Sequence, residues 1–120
     1  MSQSDFRVNL IAQIELIAPT LEGKVQAGAV DATTSAPFAA FTTPEEVPIR
    51  TKNGIVGYNT VFDVSVYDSK YAGAQQLKQA LAAELDGNTI DDKRVQHRSS
   101  AYEYYPDYDL HCWTLTFRIV

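Results

Sequence analysis

Cysteine is nearly missing from this sequence. Cys112 is the single one in 120 residues, so no internal disulfide can form, and the chain is expected to mature in a reducing cytoplasm. Basic residues are in deficit, with ten Lys plus Arg against fifteen Asp plus Glu and a net charge of -5. That sign opposes phosphate neutralisation and argues against both a nonspecific grip on DNA and sequence-specific nucleic-acid binding. No run approaches the roughly 20 apolar residues that span a bilayer, and residues 1–7 lack the basic start, apolar run and cleavage site of a secretory signal. A soluble chain with no membrane partner is therefore expected. The six glycines are scattered and build no phosphate-cradling loop.

What is present is ordinary globular composition, 45% hydrophobic and 21% charged. A chain of this length hides roughly two-thirds of its unfolded surface on folding, so one domain covering residues 1–120 can stand on its core without metal or disulfide staples.

The apolar residues Phe6, Leu10, Ile14, Ile17 and Leu21 recur at helical steps, and Pro19 predicts that this helix ends near Ala18. Residues 24–30 and 38–43 read as strands, the first weakly, with a connecting loop over 31–36. Asn53-Gly54 is a tight-turn signal that folds two arms together. Pro44, Glu45, Glu46 and Pro48 precede it and weaken regular pairing, so the outer hairpin is expected to project from the body. The returning arm alternates cleanly through Tyr58, Thr60, Phe62, Val64 and Val66. Asp68-Ser69 offers an N-cap to a helix carrying Tyr71, Ala74, Leu77, Leu81 and Leu85, and Gly87 suits the left-handed position beyond its end. Residues 94–105 form a strand with a tyrosine-rich end, followed by a turn at Pro106-Asp107. In the last segment His111, Trp113, Leu115, Phe117 and Ile119 share one face. The order predicts an α+β fold: a mostly antiparallel sheet, two helices packed on one face, and a projecting β-hairpin.

The chemistry-bearing residues do not assemble into a reactive set. His111 and Cys112 are strand neighbours that point to opposite faces, and no second Cys or spaced His pair completes a metal site. His97 and His111 read as sheet or surface residues. Glu45-Glu46, Asp91-Asp92 and Asp107 with Asp109 could supply acid/base pairs, but solvated loop acids are the default. Cys112 has no activating base motif. The expectation is a protein with no catalytic residue, no cofactor and no metal. Tyr102, Tyr104, Tyr105 and Tyr108 are interleaved with Glu103, Asp107 and Asp109. Those acids repel phosphates, so the tyrosines suit a protein contact, or they complete the core or sheet edge.

Three short motifs add a family resemblance. The run from Gly23 leads through small residues into Pro37-Phe38; Val64-Ser65-Val66-Tyr67 ends a strand after a hairpin; and a helix closes on Leu85-Asp86-Gly87. In this order the chain resembles the tail-completion family of long-tailed bacteriophages and prophages, over nearly its whole length except for a looser last 30 residues. The resemblance implies a non-enzymatic virion protein like the tail terminators and head-tail joining proteins, assembled in the bacterial host cytoplasm. It would sit at the head-proximal end of the tail as a ring homo-oligomer, often a hexamer, against the tail-tube protein and the head-tail connector proteins. The Pro and Glu content beside the tight turn makes Pro44, Glu45, Glu46, Pro48, Arg50 and Lys52 on the hairpin the expected interface, with Tyr102, Tyr104, Tyr105 and Tyr108 added from the acid-interleaved tyrosine run. The alternative is a small adaptor domain that binds a cellular protein through its sheet edge or tyrosine-rich loop.

Overall fold

A computed structural model describes residues 3–27, 36–42, 45–90 and 93–119. Helix α1 (Gln3–Ile17) is followed by a 3-10 turn (Pro19–Leu21), strands β1 (Val25–Ala27), β2 (Phe38–Phe41), β3 (Glu45–Thr51) and β4 (Gly54–Asp68), helix α2 (Tyr71–Leu85), and strands β5 (Thr89–Ile90), β6 (Lys93–Tyr105) and β7 (Leu110–Ile119). The first helix ends where Pro19 forbids its continuation, and Leu21 moves into the 3-10 turn, where it is still buried. Phe6 lies in the helix, and its side chain is outside the described ones. The 31–36 loop expected from the sequence falls almost wholly outside the described residues, as do Pro44 and the Asp91-Asp92 pair.

The seven strands form one sheet in the order β1-β2-β4-β7-β6-β5, with β3 paired to the outer part of β4. Every described pairing is antiparallel except β1 with β2. Opposed residues share a face in such a ladder, so the register sorts the side chains. Ala39, Phe41, Phe62, Val64, Val66, Trp113, Leu115 and Phe117 lie on the helix-covered face. Together with Leu10 and Ile14 of α1 and Leu81 and Leu85 of α2 they make the core. Each fully buried aliphatic or aromatic side chain here contributes about 1.5–3 kcal/mol. Phe62 and Phe117 anchor it as a stacked pair at 5.5 Å.

The second helix starts one to two residues later than the Asp68-Ser69 cap signal suggests. Lys70 is the N-cap and makes no side-chain cap bond. Asp68 instead accepts the Lys70 N–H at 3.3 Å, holding the turn that leads in. The C-terminal end follows expectation: Gly87 has φ +77°, and its N–H reaches Val95 O at 2.8 Å, tying the helix end to β6.

The other sheet face carries Phe38, Asp63, Ser65, Tyr67, Cys112, Thr114, Thr116 and Arg118. It is knit by its own polar side chains. Thr116 donates to Asp63 at 2.7 Å, and Ser65 and Thr114 hydroxyls meet at 3.1 Å. Phe38 stands edge-on to Tyr67 at 4.8 Å, and Tyr67 to Tyr105 at 6.2 Å.

Candidate functional site

β4 is 15 residues long, about 46 Å at about 3.3 Å per residue, and the molecule's long axis is 47 Å. The two ends of that strand define the two regions of interest. On one edge β7 pairs with residues 60–68 only; on the other, β2 covers residues 64–67 and β3 covers the stretch from Gly54 to Val61. Beyond residue 60, therefore, the β3–β4 hairpin leaves the sheet as a two-stranded ribbon, the projecting arm expected from the sequence. Its pairing, however, is not weakened as the sequence suggested. Glu45, Glu46 and Pro48 all sit in a regular ladder, with one irregularity between Ile49 and Arg50. An edge strand tolerates a proline wherever the missing N–H would have faced away from its partner.

The turn is carried by Lys52 and Asn53, with Thr51 paired to Gly54. Only Gly54, at φ +106°, uses the left-handed region, and Thr51 Oγ1 braces the bend by accepting the Asn53 N–H at 3.2 Å. Three aliphatic side chains on the arm stay open: Val47 is 41% exposed, Ile49 38% and Ile55 46%. Val47 and Ile49 share a face with Gly57, and Ile49 lies over it. Glu45, Glu46, Arg50 and Lys52 are exposed. Composition points to the charged and proline positions here and does not mark Val47, Ile49 and Ile55, although Val47-Pro48-Ile49 and Ile55-Val56 are apolar residues flanking a turn.

At the opposite end of β4, the β6–β7 hairpin gathers the tyrosines, but not onto one surface. Tyr102 and Tyr104 lie on the helix side of the sheet, opposite Trp113 and His111. Tyr105 lies on the other side, opposite Leu110, and packs on Tyr67. Tyr105 is therefore on the opposite face from Tyr102 and Tyr104. Tyr108, at the turn, is 76% exposed. Tyr71, the first residue of α2, joins the group although no local pattern announces it: its ring is 5.3 Å from Tyr102 and 5.9 Å from His111.

Hydrogen bonds fix these rings. Tyr102 OH and His111 Nδ1 are 2.6 Å apart, and Tyr104 OH donates to Asp109 Oδ1 at 2.8 Å. Asp109 adopts φ 50°, a left-handed position that Asp tolerates. The bond to Asp109 holds the Tyr104 phenol above its ordinary pKa. Burial, reinforced by donation to Glu103 at 3.0 Å, pushes Tyr105 up to about 12. Trp113 sits beside Tyr102 at 5.4 Å, with the Lys78 ammonium 4.6 Å over its ring. The Trp113 Nε1 donor is buried without a hydrogen-bond partner among the described residues.

The remaining candidates stay apart. His97 bonds Ser100 Oγ at 2.8 Å and leans on Phe117, far along β6 from His111. Glu45 and Glu46 are strand neighbours on opposite faces. Cys112 is buried, and that burial raises its thiol pKa. Among the described residues, no three His, Cys, Asp or Glu side chains come together in a metal-binding group, and no helix is long and apolar enough to cross a membrane.

No protein-family model matches this sequence, and no curated protein matches it. Solved structures do. A chain from the virion of a native gene transfer agent particle superposes with a TM-score of 0.61 at 18% identity, covering 94% of each chain. A second solved chain gives a TM-score of 0.60 at 16% identity, covering 100% of this chain and 96% of that one. At these identities the likeness is one of fold, and it spans the whole α+β domain.

Proposed function

We propose that this protein is a non-enzymatic structural part of a phage or prophage particle. In this reading it caps the tail tube at the head-proximal end and helps join tail to head, as a ring of identical subunits, six in the resemblance. The observation that carries the proposal is the near-complete fold likeness to a chain of a gene transfer agent virion, a particle of phage-like kind. The ordered motifs at Pro37-Phe38, Val64 to Tyr67 and Leu85 to Gly87 narrow it to tail completion.

The geometry supports a building block. A ring needs two different surfaces on each subunit, so that every copy both gives and receives a contact. The arm, with Val47, Ile49 and Ile55 open, is suited to reach an adjacent subunit or the tail tube, and Glu45, Glu46, Pro48, Arg50 and Lys52 belong to that contact. The excess of acids, net -5 per chain, suits a ring through which DNA passes without adhering.

Electron microscopy of particles produced without this gene tests the reading. Overlong tails, or heads and tails left unjoined, are expected. Particles of normal length and attachment would overturn it.

A further inference from the structure

The two ends of β4 differ in charge as well as in shape. Between Glu46 and Asp63 the only charged residues are Arg50 and Lys52, both on the arm and both exposed. Between Arg98 and Arg118 the only Asp, Glu, Lys or Arg residues are Glu103, Asp107 and Asp109, all exposed at the tyrosine end. Asp68 and Lys70, which flank the start of α2 there, offset each other, and Lys78 is engaged over Trp113. The arm is thus basic and aliphatic at its tip, with the exposed Glu45 and Glu46 at its base beside Thr60 and Val61, and the other pole is acidic and aromatic.

From this pairing we infer that the arm of one copy docks on the tyrosine pole of a second copy. Val47, Ile49 and Ile55 lie against Tyr71, Tyr102, Tyr104 and Tyr108, while Arg50 and Lys52 face Asp107 and Asp109. The contact cannot be made within one chain, because the poles stand at opposite ends of a 47 Å molecule. Repeated from copy to copy it is head-to-tail, the type that closes into a ring when the rotation per subunit is right. The receiving pole is already ordered: hydrogen bonds to His111 and Asp109 fix Tyr102 and Tyr104, so little side-chain freedom is lost on docking. Pro48 similarly stiffens the donor strand. This deepens the ring reading above and rests on it, by naming the surface that receives the arm.

A charge exchange on the full-length protein tests it. R50E/K52E and D107K/D109N each place like charges at the contact, and Asn tolerates the left-handed backbone at 109. Each variant alone should associate at least about tenfold more weakly than wild type by analytical ultracentrifugation. A one-to-one mixture of the two should recover association, because the acidic arm tip then meets the lysine introduced at position 107, on a pole whose acids at 107 and 109 are gone. Wild-type association should also weaken as salt shortens the screening length from about 8 Å at physiological ionic strength to about 3 Å at 1 M. An independent arm uses cysteine pairs: I49C copies mixed with Y108C copies under mild oxidation should form a cross-linked pair in excess of either alone. A wild type that stays monomeric, a D107K/D109N protein that assembles normally, or a mixture that does not recover would overturn the docking. If the gene-deleted particles nonetheless show tail defects, the virion role survives and only this contact fails.

Discussion

One strand of this protein lives in two environments, and the contrast explains how the chain divides its labour. Over residues 60–68, β4 is bonded on one edge to β7, and β2 adds a second neighbour over residues 64–67. Its alternate side chains Phe62, Val64 and Val66 are buried against α2 and the core. Toward Gly54, β4 keeps β3 as its only described partner, and Val47, Ile49 and Ile55 on the ribbon remain open. The inner half derives its order from tertiary burial. The outer half has only its ladder and turn, and an isolated two-stranded hairpin is marginal in water. Such a ribbon becomes worth keeping when something else completes it.

The comparison predicts unequal responses to mutation. The largest belongs to the core: Phe62→Ala removes one ring of the stacked pair with Phe117 and should cost about 3–5 kcal/mol, seen as a lower denaturation midpoint. A loss below about 1 kcal/mol would show that the inner half of β4 is not the stability centre.

Two glycines with positive φ sharpen the point. Gly87 (φ +77°) closes α2 within the body, whereas Gly54 (φ +106°) bends the arm. Gly87→Ala should cost about 1–2 kcal/mol of global stability, the usual penalty for a left-handed non-glycine. Gly54→Ala carries a similar local strain yet should leave the global transition within about 0.5 kcal/mol, because the arm can fray by itself. Equal losses at both sites would mean that arm and body unfold together.

A smaller effect separates the tyrosines. Tyr105 is held neutral by burial and by Glu103, with its pKa raised to about 12 from about 10 in the unfolded chain. The folded state therefore holds this proton more tightly. The resulting stability is fully present below about pH 10 and is lost as pH rises through 12. Tyr105→Phe should flatten that alkaline loss in melts taken between these limits. An unchanged slope would remove Tyr105 from the sheet-bracing role.

Much of this plan could be read from residue order. The α+β class, α2 with Gly87 beyond its end, the alternating final strand and the projection of the hairpin follow from periodicity and turn chemistry, which are local signals. What escaped the sequence depended on distant partners. β5, at two residues, is too short to carry a period, and Glu45 to Pro48 pair in spite of poor strand propensity because β4 supplies the template. The division of the tyrosines between two faces is set by the β6–β7 register, which includes a shift between His97 and Ser99 that no local pattern announces. Tyr71 joins the tyrosine pole only because α2 packs across the sheet end.

The central claim is that the arm builds an assembly and does not build the fold. The direct measurement compares wild type with a variant in which residues 47–59 are replaced by an Asn-Gly turn, using light scattering for mass and circular dichroism for folding. The wild type should reach a defined multiple of 13.3 kDa, and the shortened protein should remain a folded monomer. The same assembly mass for both proteins would contradict the claim.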